Sequence, residues 1–239
     1  MVIKELSWDS SFFKKKMGEL IITSQKAFSI KAVVDKARDD GFKYVICRIR
    51  TQQTSLIRLL ESFSFYLSDV GLTWAIETDK FILKNGDKNS QPRPPIKVAI
   101  DKDIPVLQEI SESLFIESRF YNDPFFSKEE ADRLYRAWID NSVKGNVADI
   151  VFFIPDIGFI TCKKSSSSSG EIPLIGVKKE LIGKGFGKSL IREAILWFKT
   201  HGIISVSVRT QMQNVRAMNF YARLGFHIKE YDLVFAKVL

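Results

Sequence analysis

Apolar residues alternate along the chain between the two-residue repeat of strands and the three-to-four-residue repeat of helices. In the first part of the chain, strand patterns lie at residues 20–22, 44–49, 65–67 and 72–76. Helical patterns lie at residues 30–40, which end before Gly41, and at residues 55–62. We therefore predict a small α/β unit in the N-terminal part of the chain.

The second part of the chain has more elements. The predicted strands are residues 97–100, 150–154, 158–162, 172–178, 204–209 and 231–238. The predicted helices are residues 104–115, 127–143, 188–200 and 215–224, with a loop at 118–124 and a hairpin tip at 165–169. This order predicts an α/β (α+β) fold, in which helices flank a mixed, mostly antiparallel sheet.

Between these parts, the segment from Lys84 to Pro95 contains Gly, Pro and polar residues but no apolar ones. We predict a domain boundary there. The predicted division is a small N-terminal α/β domain at 1–84, a linker at 85–95 and a larger domain at 96–239.

Composition and charge narrow the class of protein. Of 239 residues, 45% are hydrophobic and 27% are charged, which is typical of globular proteins. No apolar run approaches the roughly 20 residues that span a bilayer, and the N-terminus has no signal-peptide pattern. We therefore expect a cytoplasmic protein that does not enter a membrane.

The net charge of +8 suits phosphorylated small molecules, and because the basic residues are dispersed we expect no nucleic-acid partner. The only cysteines, Cys47 and Cys162, are predicted to be free thiols, and we expect no metal site.

A glycine-rich turn, Gly183-Lys184-Gly185-Phe186-Gly187, lies between a predicted strand and a predicted helix. Glycines let the backbone approach a ligand closely, and the N–H groups at a helix N-terminus favour an anion. Two nucleotide-binding motifs fit poorly, because the turn is too late in the chain for a dinucleotide fold and lacks the P-loop pattern. A plain structural connection remains an alternative at this point.

The surrounding residues resemble the GNAT superfamily of N-acetyltransferases. Residues 182–187 are similar to its Q/R-x-x-G-x-G/A motif, although Ile182 replaces the usual Gln or Arg. Residues 214–226 resemble its N-x-x-A-x-x-F/L-Y-x-x-x-G-F segment. The resemblance implies the GNAT fold, with acetyl-CoA as acyl-donor substrate.

Several further stretches resemble the TDP-fucosamine N-acetyltransferases: residues 6–13, 118–120, 135–145 and 209–214. This resemblance implies direct acetyl transfer, in a ternary complex, to the amine of a nucleotide-linked 4-amino-4,6-dideoxyhexose for surface-polysaccharide precursors. The serine-rich tip at 165–169 departs from the pattern. Other acceptors (a peptide N-terminus, a polyamine or an aminoglycoside) and a non-catalytic acyl-CoA-binding module remain alternatives.

The same resemblance implies the site residues. Tyr221 would be the general acid for the leaving thiolate, and Arg119 and Phe120 would bind the substrate. The implied cofactor-binding residues are Val177, Leu181, Ile182, Gly183, Lys184, Gly185, Phe186, Gly187, Ile191 and Asn214. Glu117 is a candidate base, directly or through water, with a solvated carboxylate as the alternative. An edge strand of the N-terminal unit could pair two copies into a homodimer.

Overall fold

The computed structural model describes residues 1–22, 27–50, 54–82, 94–112 and 114–239. The strands are β1 Val2–Glu5, β2 Met17–Ile21, β3 Tyr44–Ile49, β4 Tyr66–Glu77, β5 Lys97–Val98, β6 Ile150–Ile154, β7 Gly158–Lys164, β8 Ser169–Ile172, β9 Ile175–Val177, β10 Ser205–Gln211 and β11 His227–Val238. The helices are α1 Ser7–Phe13, α2 Ala27–Asp39, α3 Thr54–Ser62, α4 Ile104–Ser111, α5 Arg119–Asn122, α6 Lys128–Val143, α7 Phe186–Thr200 and α8 Val215–Arg223.

Among the described residues these strands form one mixed sheet in the order β1-β2-β3-β11-β4-β10-β8-β7-β6-β5, and β9 pairs with β7. The β2–β3 and β8–β10 pairs are parallel, and the other pairs are antiparallel. Helices pack against the sheet through buried apolar side chains, such as Leu190, Ala194 and Phe198 of α7. The predicted mixed, mostly antiparallel sheet is confirmed.

Strand β4 belongs to the N-terminal part of the chain, yet it lies between β10 and β11 in the sheet. Both its neighbours come from the C-terminal part, so the two parts share a continuous set of backbone hydrogen bonds. Most of the predicted linker, residues 85–93, lies outside the described residues. The division at 84 and 96 stays a prediction about the chain.

The predicted strand at 172–178 is divided between β8 and β9, because Pro173 follows its first residue. Proline has no N–H to donate to a ladder, and the pairing with β10 ends there. Before Pro173, β8 pairs with both β10 and β7; after it, β9 pairs only with β7.

The predicted loop at 118–124 contains the one-turn helix α5, closed by a bond from Asp123 N to Arg119 O. Two N-terminal elements, β1 and α1, were not predicted, since their apolar residues are too few to show a repeat. The predicted helix at 127–143 is α6, and its start is capped: Ser127 Oγ accepts from Glu130 N, and the Glu130 carboxylate accepts from Ser127 N.

Candidate active site

A gap opens in the sheet after β8, because the next strand, β9, does not pair with β10. Strand β10 pairs with β8 through Val208, whereas its residues 209–211 pair only with β4 on the other side. Strand β9 therefore presents one free backbone edge to a gap in the middle of the molecule.

The bonds of β9 show which of its N–H groups face this gap. Thr161 N donates to Leu174 O, and Lys178 N donates to Ile157 O. Because bonded pairs alternate along an antiparallel ladder, Gly176 bonds to Phe159 and the N–H groups of Ile175 and Val177 point the other way. Two backbone donors therefore face the gap between β9 and β10.

The glycine-rich turn lies beside this gap, at the N-terminus of α7. Gly183 and Gly185 have φ of +85° and +86°, a left-handed conformation that strains any residue with a Cβ. The first backbone bond of the helix runs from Ser189 N to Gly185 O. The N–H groups of Phe186 and Gly187 have no intrahelical acceptor, so the helix start can bind an anionic group.

A groove of about 800 Å³, called here the donor groove, runs from the turn to the gap. It is lined by eight of the predicted cofactor-binding residues: Val177, Leu181, Ile182, Gly183, Gly185, Phe186, Gly187 and Asn214. Lys184 lies outside this lining, and Ile191 is fully buried in the core beneath it, so the Ile191 side chain supports the groove from behind. The groove also contains residues that the sequence did not indicate, Lys80, Phe81, Ile82, Arg216, Phe220 and Arg223.

A second cavity, of about 580 Å³ and called here the acceptor cavity, opens on the other side of the gap. Arg119 and Phe120 both line it, as their predicted role in substrate binding requires. Its other walls come from distant segments, including Trp8 and Asp9 of α1 and Asp69 of β4. Trp8 and Asp9 lie in one of the stretches of the resemblance, residues 6–13, but no role was predicted for them, and only the fold brings all three residues to the cavity.

Arg119 is the most unusual group in the acceptor cavity. Its side chain lies against the ring of Phe120, 4.3 Å from the centroid, and the residue is only 9% exposed. Its Nη1 has no hydrogen-bond partner, and the described residues form no ion pair with it. Because an unpaired buried charge is costly, this guanidinium indicates a binding site for an anion.

The acceptor cavity also holds carboxylates with displaced pKa values. Burial raises the pKa of Asp9, and the nearby Arg119 partly offsets this. Burial likewise raises the pKa of Asp69, against the opposing effect of Arg209. Perturbed groups in a cleft are typical of functional sites.

Asp123 fixes the segment that carries Arg119. Its carboxylate is 2% exposed and accepts hydrogen bonds from Tyr44 Oη (2.6 Å) and Tyr66 Oη (2.8 Å). Ser68 Oγ donates to the same carboxylate. Since these donors lie on or beside β3 and β4, Asp123 ties α5 to the N-terminal half of the sheet.

The donor groove and the acceptor cavity meet at one place, the junction. The residues that line both are Leu114, Glu117, Ile175, Asn214, Ala217 and Tyr221. Two of these six are predicted site residues, Asn214 and Tyr221, and a third, Glu117, is the candidate base. Ile175 is one of the β9 residues whose N–H faces the gap.

Tyr221 is 4% exposed and packs near the rings of Trp74, Phe220 and Phe226. Burial raises the pKa of its phenol, so at neutral pH the hydroxyl keeps its proton. A protonated phenol at the junction can donate to a leaving group.

Asn214 has a structural role as well as its place at the junction. Its side-chain oxygen accepts from Ala217 N at 3.0 Å and caps α8. The structure therefore shows a helix cap at this residue, whereas its predicted role in cofactor binding stays a prediction.

Two general features complete the description of the molecule. None of the described helices is both long and apolar enough to cross a bilayer. Within the described ranges, no three His, Cys, Asp or Glu side chains are grouped as a metal site.

Comparisons with known proteins agree with this geometry. Residues 113–226 match the sequence model of the family described as "Acetyltransferase (GNAT) family". The chain is 24% identical over 233 residues to a dTDP-fucosamine acetyltransferase of Escherichia coli O6:H1, covering 95% of this chain and 94% of the relative. It is 28% identical over 126 residues to the spore coat polysaccharide biosynthesis protein SpsD of Bacillus subtilis, covering 52% and 44%.

Among solved structures, a GCN5-related N-acetyltransferase from Sphaerobacter thermophilus is similar, with a TM-score of 0.63. The two are 16% identical, and the superposition covers 94% of this chain and 73% of the other. At this identity the likeness concerns the fold alone, and it confirms the predicted fold class.

Proposed function

Because residues 113–226 form an acetyltransferase domain of the GNAT family, we propose that this N-acetyltransferase acetylates the amine of a nucleotide-linked amino sugar. The acetyl group would come from acetyl-CoA in the donor groove, and the sugar would lie in the acceptor cavity. The observation that carries the proposal is the junction, where two cavities of different character share Tyr221 and Glu117.

The donor groove fits acetyl-CoA through its backbone. The open N–H groups at the start of α7 suit a pyrophosphate, which is the anion that the glycine-rich turn predicts. Lys179, Lys188 and Arg216 also line the groove and add positive charge for further phosphates. The departure at Ile182 removes one polar side chain but leaves these backbone donors in place.

The acceptor cavity fits a sugar that carries a diphosphate. The buried, unpaired guanidinium of Arg119 suits phosphate oxygens, which accept its fork of donors. The E. coli relative named dTDP-fucosamine acetyltransferase aligns over nearly its whole length, which supports a dTDP-linked 4-amino-4,6-dideoxyhexose as the acceptor. The name of SpsD supports a place in surface-polysaccharide synthesis.

The chemistry follows from the groups at the junction. The amine nitrogen attacks the thioester carbonyl, and the N–H groups of Ile175 and Val177 stabilise the negative charge that develops on its oxygen. Glu117 accepts a proton from the amine, directly or through water, as the C–N bond forms. The C–S bond breaks, and Tyr221 donates its proton to the departing thiolate. Holding both reactants at the junction supplies much of the remaining acceleration.

The test is an assay of CoA release with a panel of amines. The purified chain is incubated with acetyl-CoA and, in separate reactions, with dTDP-4-amino-4,6-dideoxygalactose, its UDP counterpart, the free amino sugar, a polyamine, an aminoglycoside and a peptide. We expect free thiol only with a nucleotide-linked sugar, and acetylation of its amine by mass spectrometry.

Two outcomes would replace the proposal. Fastest turnover of an amine without a nucleotide would make the chain an N-acetyltransferase of that other class. Binding of acetyl-CoA without thiol release from any amine would favour the non-catalytic module.

A further inference from the structure

A large aromatic side chain lies at the wall of the acceptor cavity and has no part in the chemistry above. Trp8 lines the cavity, although its side chain is 51% exposed. Single exposed apolar residues are common on proteins, but a half-exposed tryptophan in the wall of a cavity that also contains a buried guanidinium offers a ligand a flat surface.

The ring of Trp8 is held in a column of stacked groups. Trp8 and Phe12 stack with their centroids 5.0 Å apart and their planes 7° apart. The guanidinium of Arg133 lies 5.8 Å from the centroid of the Phe12 ring. Because one face of the Trp8 ring is covered by Phe12, its plane is fixed in the free protein and its other face is left for a ligand.

The helix that carries Trp8 is also attached to the segment that carries Arg119. Phe13, at the end of α1, is buried and stacks on Phe120 at 5.9 Å. Arg119 contacts the same Phe120 ring. The charge of Arg119 is felt at Asp9, the neighbour of Trp8. The aromatic surface and the unpaired cation therefore belong to one rigid wall of the cavity.

We propose that Trp8 is the platform on which the nucleobase of the acceptor stacks. This assignment rests on the proposed function and gives the substrate a direction in the cavity. The base lies on Trp8, the diphosphate contacts Arg119, and the sugar amine reaches Tyr221 at the junction. The N-terminal helix α1 thus selects for the nucleotide, while the acetyltransferase domain performs the transfer.

The experiment measures binding of dTDP, UDP and inorganic pyrophosphate by calorimetry, with the donor groove first saturated with CoA. The full chain is compared with Trp8→Leu, which keeps an apolar side chain, and Trp8→Phe, which keeps a ring. Base–aromatic stacking predicts that Trp8→Leu weakens the better nucleotide about tenfold, and that Trp8→Phe restores most of the affinity. Pyrophosphate, which has no base, should bind all three proteins equally.

Arg119→Met provides the complementary control, because it should weaken pyrophosphate and nucleotide alike. Equal nucleotide affinity for wild type and Trp8→Leu would overturn the inference and leave the proposed function standing. A change in oligomeric state of Trp8→Leu with unchanged nucleotide affinity would overturn it too, since the ring would then serve an interface between copies. Failure of the wild type to bind either nucleotide would remove the nucleotide-linked acceptor itself, and the inference with it.

Discussion

The donor groove and the acceptor cavity adjoin at the junction but are built differently. Most of the donor groove comes from two short stretches, residues 175–188 and 214–225, and its ligand-facing donors are mainly backbone N–H groups. The acceptor cavity takes side chains from α1, β4, α5, α6 and β10, which are far apart in sequence. A site made from backbone can be kept in many related proteins while the acceptor side changes. If the proposed function is correct, we expect substrate choice to depend on the cavity that the N-terminal part helps to form.

The two sites also differ in what they cost the free protein. In the donor groove, the cost is conformational and falls on glycines, which tolerate it. In the acceptor cavity, Arg119 is buried and its Nη1 has no hydrogen-bond partner among the described residues, and burial works against the charges of Asp9 and Asp69. We therefore expect that substitutions of charged residues in the acceptor cavity weaken substrate binding but raise the stability of the fold. Four predictions test this contrast between the two sites.

The largest effect is expected at the junction, where both sites depend on one group. Tyr221→Phe removes the proton donor but keeps the ring packed among Trp74, Phe220 and Phe226. General acids contribute about 100-fold or more, so we expect kcat to fall by about that factor, with both KM values nearly unchanged. Steady-state kinetics measures this. The matched control is Tyr231→Phe, which removes the hydroxyl of an exposed tyrosine on β11. An equal fall in kcat for this variant would contradict the assignment of Tyr221 as the general acid.

Arg119→Met should separate the two sites. Hydrogen bonds to charged groups contribute about 1.5–3 kcal/mol, so KM for the acceptor should rise at least tenfold while KM for acetyl-CoA stays the same. The melting temperature should rise, because a buried unpaired charge is replaced by an apolar side chain of similar length. An unchanged acceptor KM, or an equal rise in both KM values, would contradict the assignment of this cavity.

Gly185→Ala should affect the other site. A left-handed conformation costs a residue with a Cβ about 1–2 kcal/mol, so we expect KM for acetyl-CoA to rise about fivefold as the helix start shifts. Gly202→Ala imposes the same strain at the opposite end of α7, where φ is +74° and no atom would contact the new Cβ. Both variants should lose stability, but only Gly185→Ala should weaken donor binding. If the two variants behave alike in kinetics, the turn has no specific role at the donor.

The smallest effect concerns the pH dependence of stability. Folding raises the pKa of Asp69 above 3.8, so the folded state binds this proton more tightly than the unfolded state does. Stability is therefore lost as pH rises from about 3.8 through the folded pKa, and the loss persists at neutral pH. Asp69→Asn should raise the melting temperature at pH 7 by about 2 °C, and the gain should shrink as the pH approaches about 4.

The control for this prediction is Asp79→Asn, which changes an exposed aspartate in the turn after β4. It should leave the melting temperature almost unchanged at both pH values. Calorimetric scans at pH 4 and pH 7 measure all three proteins. A gain for Asp69→Asn that is the same at both pH values would show that ionisation of Asp69 is not its cause.

Local patterns predicted much of the fold and of the donor site. The bounds of β3 and β6 were predicted to the residue, and the helix predicted at 188–200 differs from α7 only by two residues at its start. Pro173 was visible in the sequence, but the loss of β10 as a partner after it was not. A strand break can be predicted from a missing N–H, whereas the partners that remain on each side depend on the whole sheet.

The acceptor cavity was predicted only through resemblance, and only in part. Arg119 and Phe120 line it as expected, but Trp8, Asp9 and Asp69 were not assigned to it. The sequence did not show that Arg119 would be buried. Its guanidinium lies against Phe120 and Phe126, and Asp123 attaches this segment to β3 and β4 by hydrogen bonds to Tyr44 and Tyr66.

The sequence by itself determined most of the strands and helices, the glycine-rich turn before α7, and the segment that carries Asn214 and Tyr221. These features follow from backbone preferences and periodic burial, which act over a few residues. Only the tertiary structure decided that β4 lies between β10 and β11, that β9 does not pair with β10, and that α1 meets α5 at one cavity wall. The contacts of β4 and of α1 join residues more than 100 positions apart, and they arise from pairing and packing of the whole sheet.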